Sequence, residues 1–422
     1  MALAVLQEAG KLVSPTKQEE LALSKIISET AEKLEKQLKS EKISARVVVG
    51  GSAAKGTWLP GISDVDFFIA FDYEKYQNKS AQLSDFAERA VKKVFKKFHR
   101  LHGSRDYFAA EFGKFYFEFV PVLEIKKLRD AKNITDFSPL HVAWVRKNIR
   151  QNKKLQSEIR LAKQFFKANE VYGAESYISG FSGHAIEILT IHCKGFENLL
   201  RNAVWWKAGQ LIDVQHFYKN PRTAFVVMNK SKLQSPLILI DPIEPERNAL
   251  AALGIEKFLK LKDVAAGFLK KPGIKFFEYK RFSAEQLVRE KRNRQFILIQ
   301  SLPEKGKPDV VGCKLLDKYK KIKQAMAESD FKILEEGWYW DGKNPAHYWF
   351  YLPLQKLSAR KLHLGPPAKL EKFARDFRKR WKGAKTVKGR LAVEIKRKYV
   401  LPEQLIKDLI RTDKSLKLEM VK

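Results

Sequence analysis

The chain has 422 residues, of which 45% are hydrophobic and 12% are aromatic. This composition excludes a largely disordered protein, and the length predicts several domains. The 81 Lys and Arg residues outnumber the 48 Asp and Glu residues, which gives a formal net charge of +33. Such an excess indicates a polyanionic partner, and nucleic acid is the most common one.

The sequence gives no sign of a membrane protein or of an oxidising compartment. It contains no apolar run of about 18 residues or more, and we find no signal peptide at its start. Cys193 and Cys313 lie far apart along the chain, which predicts neither a disulfide framework nor a metal cluster. We therefore expect a cytoplasmic protein that does not bind membranes.

The first clear element is a helix that begins near Thr16 and runs to about Lys39. Thr16 or Ser14 can cap its N-terminus, and two glutamates follow in the first turn. Apolar residues recur at intervals of three and four, so one helix face should pack on a sheet.

The stretch Val47–Phe71 carries the strongest chemical signal. A short apolar strand leads into Gly50–Ser52, and a second strand presents Asp64 and Asp66 on one face because strand side chains alternate. Glycines let backbone amides approach a phosphate closely, and carboxylate oxygens are ligands that Mg²⁺ prefers. The alternative is a plain turn beside a solvated acidic pair. The apolar side chains that alternate with the two aspartates favour a nucleoside triphosphate site with a metal.

Residues 50–68, GGSAAKGTWLPGISDVDFF, resemble the GS…TWLP…(D/E)xD signature of the DNA polymerase beta-like nucleotidyltransferase superfamily. The TWLP segment is typical of its archaeal, class I CCA-adding tRNA nucleotidyltransferases. The resemblance implies that Asp64 and Asp66 bind Mg²⁺, and that Ser52 and Lys55 hold phosphates.

The same resemblance implies a third carboxylate on a later strand. Phe115–Val120 alternates as a strand, and Glu118 stands where the family has Asp in a D-V-V-P segment. Glu118 would complete the metal site near the attacking 3′-hydroxyl. The alternative is an ordinary exposed strand glutamate, and the longer side chain leaves open where the metal would sit.

Further segments carry family motifs that imply nucleotide-binding residues. SPLH followed by Trp144 resembles TPFH…W and implies that His141 contacts the nucleotide. KANEVYGAE resembles KANGIYGAE, which implies that Lys163 and Tyr172 hold the triphosphate. A structural histidine and a tyrosine that only packs at a helix end are the alternatives.

Two more motifs follow. GFSGH, at residues 180–184, resembles GFSGY with His184 in place of tyrosine, and Ser182 is a plausible N-cap for a helix to His192. The segment after the predicted strand Leu237–Ile240 resembles DP…(K/E)RNxA and implies that Arg247 reads the base. Without the resemblance, Arg247 would be taken as a surface or cap residue.

Hydrophobic patterns predict the remaining elements. We expect helices at Ser84–His99, Ser157–Ala168, Ser283–Lys291, Cys313–Glu328 and Leu370–Lys385, and strands at Phe276–Tyr279, Phe296–Gln300, Phe331–Trp340 and Tyr348–Leu352. In the last helix we expect Phe373, Phe377 and Trp381 to be core. Its opposite face carries the residues expected to bind the RNA backbone: Arg375, Arg378, Lys379 and Lys382. A merely solvated basic helix is the alternative.

Together these features predict an α/β (α+β) enzyme with a polymerase-beta-like head at 1–147 and a helical neck at 148–258. A small α/β body at 259–305 and 386–422 would contain an inserted tail at 306–385 that grips the tRNA elbow. The resemblance implies Mg²⁺-dependent, template-independent addition of CCA to tRNA from CTP and ATP, and it leaves a homodimer open. The alternatives are a poly(A) or poly(U) polymerase and a non-catalytic RNA-binding relative.

Overall fold

A computed structural model describes residues 2–61, 64–279 and 282–421, and the chain divides into two units, Met1–Lys280 and Arg281–Lys422. Ile62 and Ser63, which belong to the TWLP-containing motif, lie outside the described residues. The mixed α/β class predicted from the sequence is confirmed in both units.

In the described part of the first unit, residues 2–61 and 64–279, there are a five-stranded sheet, a two-stranded sheet and a layer of helices. Its helices are α1 (Ala2–Val13), α2 (Lys17–Ser40), α3 (Gly51–Lys55), α4 (Tyr73–Tyr76), α5 (Leu83–Val94), α6 (Ser138–Gln151), α7 (Lys154–Ala168), α8 (Gly183–His192), α9 (Phe196–Trp205), α10 (Pro221–Val227) and α11 (Ile255–Lys270). Its strands are β1 (Ala45–Val49), β2 (Asp64–Phe71), β3 (His99–Leu101), β4 (Tyr107–Phe112), β5 (Phe115–Leu123), β6 (Gln210–Asp213) and β7 (Leu237–Ile240).

The larger sheet has the strand order β1-β2-β5-β4-β3. Its centre is the parallel pair β2 and β5, in which Asp66 stands opposite Glu118. Both faces are covered because β2 is apolar on both sides beyond its first residues. Helices α2 and α5 cover one face, which includes Phe67 and Phe119, and Val142 of α6 packs against Phe68 on the other.

The predicted first helix is confirmed as α2, with Thr16 as its N-cap. The Thr16 hydroxyl accepts a hydrogen bond from the Glu19 amide, and the Glu19 carboxylate accepts one from the Thr16 amide. The predicted helix Ser84–His99 is wrong at its C-terminal end, because α5 stops at Val94. Phe95 becomes extended and places its ring against those of Phe117 and Phe119.

The helices α7, α8, α9 and α11 form the second core of this unit. Ser182 caps α8 by accepting a hydrogen bond from the Ala185 amide, as predicted. The predicted strand at Phe276–Tyr279 is wrong. Ile274–Phe276 is a single 3₁₀ turn, and the rings of Phe276 and Phe277 pack against Phe165 of α7. The aromatic pattern therefore reflects burial between helices rather than a strand.

Within residues 282–421, the second unit contains two antiparallel sheets and four helices. Its helices are α12 (Ala284–Glu290), α13 (Pro308–Glu328), α14 (Glu371–Arg380) and α15 (Pro402–Thr412). Its strands are β8 (Arg294–Ser301), β9 (Glu335–Tyr339), β10 (Ala346–Pro353), β11 (Arg360–Pro367), β12 (Lys385–Val387), β13 (Arg390–Lys396) and β14 (Leu416–Val421). The sheets have the strand orders β14-β8-β10-β9 and β11-β13-β12.

The predicted basic helix Leu370–Lys385 is too long, because α14 ends at Arg380 and β12 begins at Lys385. The prediction that its aromatic stripe is core is wrong for Phe373, whose exposed fraction is 61%. Phe377 and Trp381 are partly buried, and both rings contact His363 of β11. The small three-stranded sheet covers only the C-terminal half of the stripe.

Across the described ranges 2–61, 64–279 and 282–421, every helix is too short or too polar to cross a lipid bilayer.

Candidate active site

Three carboxylates lie together where β2 and β5 begin to pair. Asp64 is exposed at the start of β2, and Asp66 and Glu118 are partly buried. Burial raises the pKa of Asp66, and Asp64 adds to this effect while Lys55 opposes it. Burial also raises the pKa of Glu118 to about 7, with further contributions from Asp66 and Asp64. Carboxylates in such a group are stabilised in the ionised form by a bound cation.

The glycine-rich segment Gly50–Ser52 lies very close to Asp66. Gly51 has φ +56°, and a Cβ at this position would lie 1.6 Å from Asp66 Oδ2. The Gly50 amide donates a hydrogen bond of 2.7 Å to the Asp66 carbonyl oxygen. Glycine is therefore required at residue 51 both by backbone conformation and by space.

A cavity of about 460 Å³ opens beside these carboxylates. Seven of the residues predicted from the sequence line it: Ser52, Lys55, Asp64, Asp66, Glu118, Lys163 and Tyr172. Tyr116, Lys167, Glu175, Gly183, His184 and Glu187 complete the lining. The fold thus gathers residues from α3, β2, β5, α7 and α8 around one space.

Glu187 of α8 joins Lys55 of α3 and Thr57 to Lys163 of α7. Its carboxylate is completely buried and accepts hydrogen bonds from Lys55 Nζ at 2.6 Å and from Lys163 Nζ at 2.7 Å. It also accepts one of 2.7 Å from the Thr57 hydroxyl. Burial acts to raise the pKa of Glu187, but Lys163 and Lys55 outweigh it and hold the pKa well below its usual range.

Lys163 is also deeply buried. Burial lowers its pKa, and Glu187 offsets this only in part. Besides Glu187, its ammonium group donates to the Thr57 hydroxyl at 3.1 Å and to the Thr57 carbonyl at 3.3 Å.

Tyr172 also lines the cavity. A Cβ added at Gly183 would come within 2.7 Å of the Tyr172 hydroxyl oxygen, so glycine is needed there for close approach. Burial raises the pKa of Tyr172 above its usual range. The Lys167 ammonium lies 4.8 Å from the centre of the Tyr172 ring.

His141 and Arg247 are not in the cavity lining but form a second cluster next to it. His141 Nε2 lies 2.8 Å from Asp241 Oδ1, and His184 Nε2 lies 3.2 Å from Asp241 Oδ2. The two imidazole rings are 4.6 Å apart, so His184 connects the cavity to this cluster. Arg247 donates to Glu244 at 2.9 Å and lies 3.7 Å from Asp241.

Among the described residues, the acidic and histidine side chains whose ligand atoms all lie within 4.8 Å of one another are His141, His184 and Asp241. Burial lowers the pKa of His141, although Asp241 opposes this. Asp241 Oδ1 also accepts the backbone amides of Ile243 and Glu244. Its oxygens are satisfied by hydrogen bonds, and the Arg247 guanidinium supplies the nearby positive charge.

The predicted RNA-binding residues belong to the second unit. Arg375, Arg378 and Lys379 are exposed on one face of α14 and line a shallow groove with Ala368. Lys382 is exposed in the turn that follows the helix.

Family models match the chain in three consecutive parts. The nucleotidyltransferase domain matches residues 31–157, the second domain of tRNA nucleotidyltransferase matches 157–278, and the C-terminal domain of CCA-adding enzyme matches 292–419. The CCA-adding enzyme of Nanoarchaeum equitans is 35% identical over 329 residues, which are 78% of each chain. That of Methanosarcina acetivorans is 30% identical over 427 residues, which cover 96% of this chain and 88% of the relative.

The chain belongs to the CCA-adding enzyme family. It is therefore a nucleotidyltransferase. Solved structures agree on the fold: the Cid1 poly(U) polymerase, solved with magnesium and 3′-dATP, aligns with a TM-score of 0.51 at 12% identity. That alignment covers 65% of this chain and 98% of the polymerase. A cytoplasmic RNA terminal U-transferase aligns with a TM-score of 0.50, also at 12% identity, over 66% of this chain and 98% of its own.

Membership of the CCA-adding enzyme family was recognisable from the sequence, but six residues that line the cavity were not predicted as site residues, among them Glu187 and Lys167. Glu187 is a single carboxylate within the apolar run AIEILTI, and a charge in such a run signals a buried ion pair. Lys167 lies four residues after Lys163, so one helix face carries both. Both features are visible in the sequence, but neither identifies which residues contact Glu187 or Lys167.

Proposed function

We propose that this protein adds CCA to the 3′ end of tRNA in the cytoplasm, using CTP and ATP. The observation that carries the proposal is the single cavity in which Asp64, Asp66 and Glu118 face the cations Lys55 and Lys163. Membership of the CCA-adding enzyme family supports the choice of substrate.

The carboxylate group suits a hard divalent cation, and we assign it to Mg²⁺. Asp64, Asp66 and Glu118 offer only oxygen atoms as ligands. The pKa values of Asp66 and Glu118 are raised because burial and neighbouring carboxylates disfavour their ionised forms, and a bound cation would offset this. When bound, Mg²⁺ would neutralise triphosphate charge and make the tRNA 3′-hydroxyl a better nucleophile.

The protein's own part in the reaction is to position the triphosphate and to balance its charge. The Ser52 hydroxyl, Lys55 and the Tyr172 hydroxyl line the cavity and would bind phosphate oxygens. Lys163 would contribute positive charge to the cavity without a direct hydrogen bond to phosphate, since Glu187 and Thr57 already accept its hydrogen bonds.

In the absence of a template, the protein must select the base by its own contacts. We assign this role to the cluster of His141 and Arg247, where Asp241 and Glu244 fix the two side chains. Arg247 retains a partly exposed guanidinium that can donate to a base. The exposed residues Arg375, Arg378, Lys379 and Lys382 would bind the tRNA backbone. The four-part division into head, neck, body and tail stays a prediction.

The test is extension of a tRNA transcript that ends at the discriminator base. With Mg²⁺ and CTP alone we expect two added residues, and a third only when ATP is present. The double variant Asp64→Ala and Asp66→Ala should add none. Long tails of one nucleotide would instead indicate a poly(A) or poly(U) polymerase, and tRNA binding without extension would indicate a non-catalytic relative.

A further inference from the structure

Two histidine and two carboxylate side chains of the first unit meet next to the cavity. His141 lies on α6 and His184 on α8, while Asp241 and Glu244 follow β7. His141 Nε2 lies 2.8 Å from Asp241 Oδ1 and 3.7 Å from Glu244 Oε1. His184 Nε2 lies 3.2 Å from Asp241 Oδ2. The fold thus brings imidazole nitrogens and carboxylate oxygens from three elements to one place.

The distances in this cluster fit the ligands of a Zn²⁺ ion. Zn²⁺ binds imidazole nitrogen and carboxylate oxygen at about 2.0–2.2 Å, so two ligand atoms of a tetrahedral site lie about 3.3 Å apart. The three nitrogen–oxygen separations of 2.8, 3.2 and 3.7 Å lie on both sides of that value. His141 and Asp241 are also buried, which limits competition by water. The mixed donors favour Zn²⁺ over Mg²⁺, which prefers oxygen ligands alone.

Arg247 supplies the positive charge of this cluster in the structure. Its Nη1 lies 2.9 Å from Glu244 Oε1 and 3.7 Å from Asp241 Oδ2. A metal ion bound to the same two carboxylates would repel the guanidinium group. The Arg247 side chain is 37% exposed, so it can turn towards solvent. Binding of a metal ion and docking of Arg247 on the carboxylates therefore exclude each other.

We propose that the two histidines and the two carboxylates form a Zn²⁺ site that competes with Arg247. This site is additional to the Mg²⁺ site assigned to the cavity carboxylates, and it depends on His184, which stands where the family motif GFSGY has tyrosine. Its effect on nucleotide choice rests on the proposed function, because it assumes that Arg247 reads the base. Zn²⁺ would then weaken the discrimination between CTP and ATP without blocking the transfer itself.

A competing explanation is that the four side chains only hold one another and Arg247 by hydrogen bonds. His184→Gln separates the two explanations, because a glutamine amide can still donate to Asp241 but is a poor ligand for Zn²⁺. His102 provides a matched control on the loop after β3, where its Nδ1 lies 2.9 Å from Asp106 Oδ1. A metal site predicts an effect on Zn²⁺ affinity for His184→Gln and none for His102→Gln.

The experiment titrates the protein with Zn²⁺ by calorimetry at saturating Mg²⁺, and it follows Co²⁺ binding by visible absorption, which reports the coordination geometry. For His184→Gln we expect the Kd for Zn²⁺ to rise about 100-fold or more, together with loss of the Co²⁺ spectrum. His102→Gln should match the wild type. Arg247→Ala should lower the Kd about tenfold, because it removes the competing positive charge.

Equal Zn²⁺ affinity in the wild type and in His184→Gln would overturn the proposal. The double variant Asp64→Asn and Asp66→Asn should keep the wild-type affinity, and loss of binding there would place the ion among the cavity carboxylates and overturn the site as well. Should His184→Gln fail to fold by circular dichroism, His184→Tyr takes its place with the same expectations.

The effect on nucleotide choice is measured separately. At saturating Zn²⁺ we expect the ratio of kcat/KM for CTP to that for ATP, at the first added position, to fall about tenfold in the wild type and not in His184→Gln. An unchanged ratio with Zn²⁺ bound would support the metal site and refute the base-reading role of Arg247. A wild-type protein that extends no tRNA would refute the proposed function, and Zn²⁺ binding that is lost in His184→Gln would still support the site.

Discussion

Glu187 and Lys163 form an ion pair of 2.7 Å in which both side chains are almost completely buried. The same carboxylate binds Lys55 at 2.6 Å, so one negative charge holds two of the three cavity lysines. Helix α3, which carries Lys55, is thereby tied to α7 and α8.

Replacing Glu187 by Gln should destabilise the protein by about 3–5 kcal/mol, because it leaves buried ammonium groups without a counter-ion. It should also raise KM for CTP, because Lys55 loses the partner that orients it. Urea unfolding and steady-state kinetics measure the two effects. Asp136→Asn is the control, since it breaks a buried pair with Arg105 that lies outside the cavity lining. An equal rise in KM for CTP in both variants would contradict the orienting role.

The same carboxylate predicts how stability depends on pH. The folded-state pKa of Glu187 lies below its ordinary value of 4.5, so the stability it provides is fully present above about pH 5. That stability is lost as the pH falls through 4.5 towards the lowered value. Urea midpoints measured from pH 6 to pH 3 should therefore fall less steeply for Glu187→Gln than for the wild type. Parallel curves would show that the pair does not contribute.

Mg²⁺ should stabilise the folded protein through the carboxylates of the cavity. A ligand that binds only the folded state raises the thermal midpoint as its concentration rises. We expect this increase in the wild type at pH 8, and we expect Asp64→Asn with Asp66→Asn to abolish it. The rate of CCA addition should fall at least about 100-fold in the same variant. An identical Mg²⁺ response in both proteins would place the metal elsewhere.

Glu118 tests whether the third carboxylate takes part in the reaction. Glu118→Gln keeps the shape of the side chain but removes its charge, so single-turnover addition should slow by at least about tenfold. Glu118→Asp keeps the negative charge on a side chain one methylene shorter and should retain most of the activity. A fully active Gln variant would mean that Glu118 is only a strand residue.

The basic face of α14 should contribute to tRNA affinity through phosphate contacts. Replacing Arg375, Arg378 and Lys379 by Gln should weaken tRNA binding and reduce the salt dependence of log K by about one unit for each phosphate that is no longer neutralised. Arg380→Gln is the control, because Arg380 is exposed on the same helix but does not line the groove. Filter binding between low and physiological salt measures both quantities, and equal slopes in all proteins would refute the role of this face.

Local patterns were sufficient to predict the elements in which one residue type dominates. The alternation around Asp64 and Asp66 identified β2, and Ser182 identified the start of α8. The pattern at Phe276 failed because aromatic residues are common both in strands and between helices. The cavity itself was only partly predictable. Whether Lys163 is buried depends on Glu187, and nothing in the spacing of the two residues reveals that they meet.

The parallel pairing of β2 with β5 has a consequence for how the chain tolerates change. The strand register places Asp66 opposite Glu118. The long connection between β2 and β5 can therefore gain or lose surface residues without moving either carboxylate. Deleting one residue within β5 ahead of Glu118 would instead turn that side chain to the opposite face of the sheet. Insertions and deletions among natural sequences should therefore occur in the connection between β2 and β5 and not within β5.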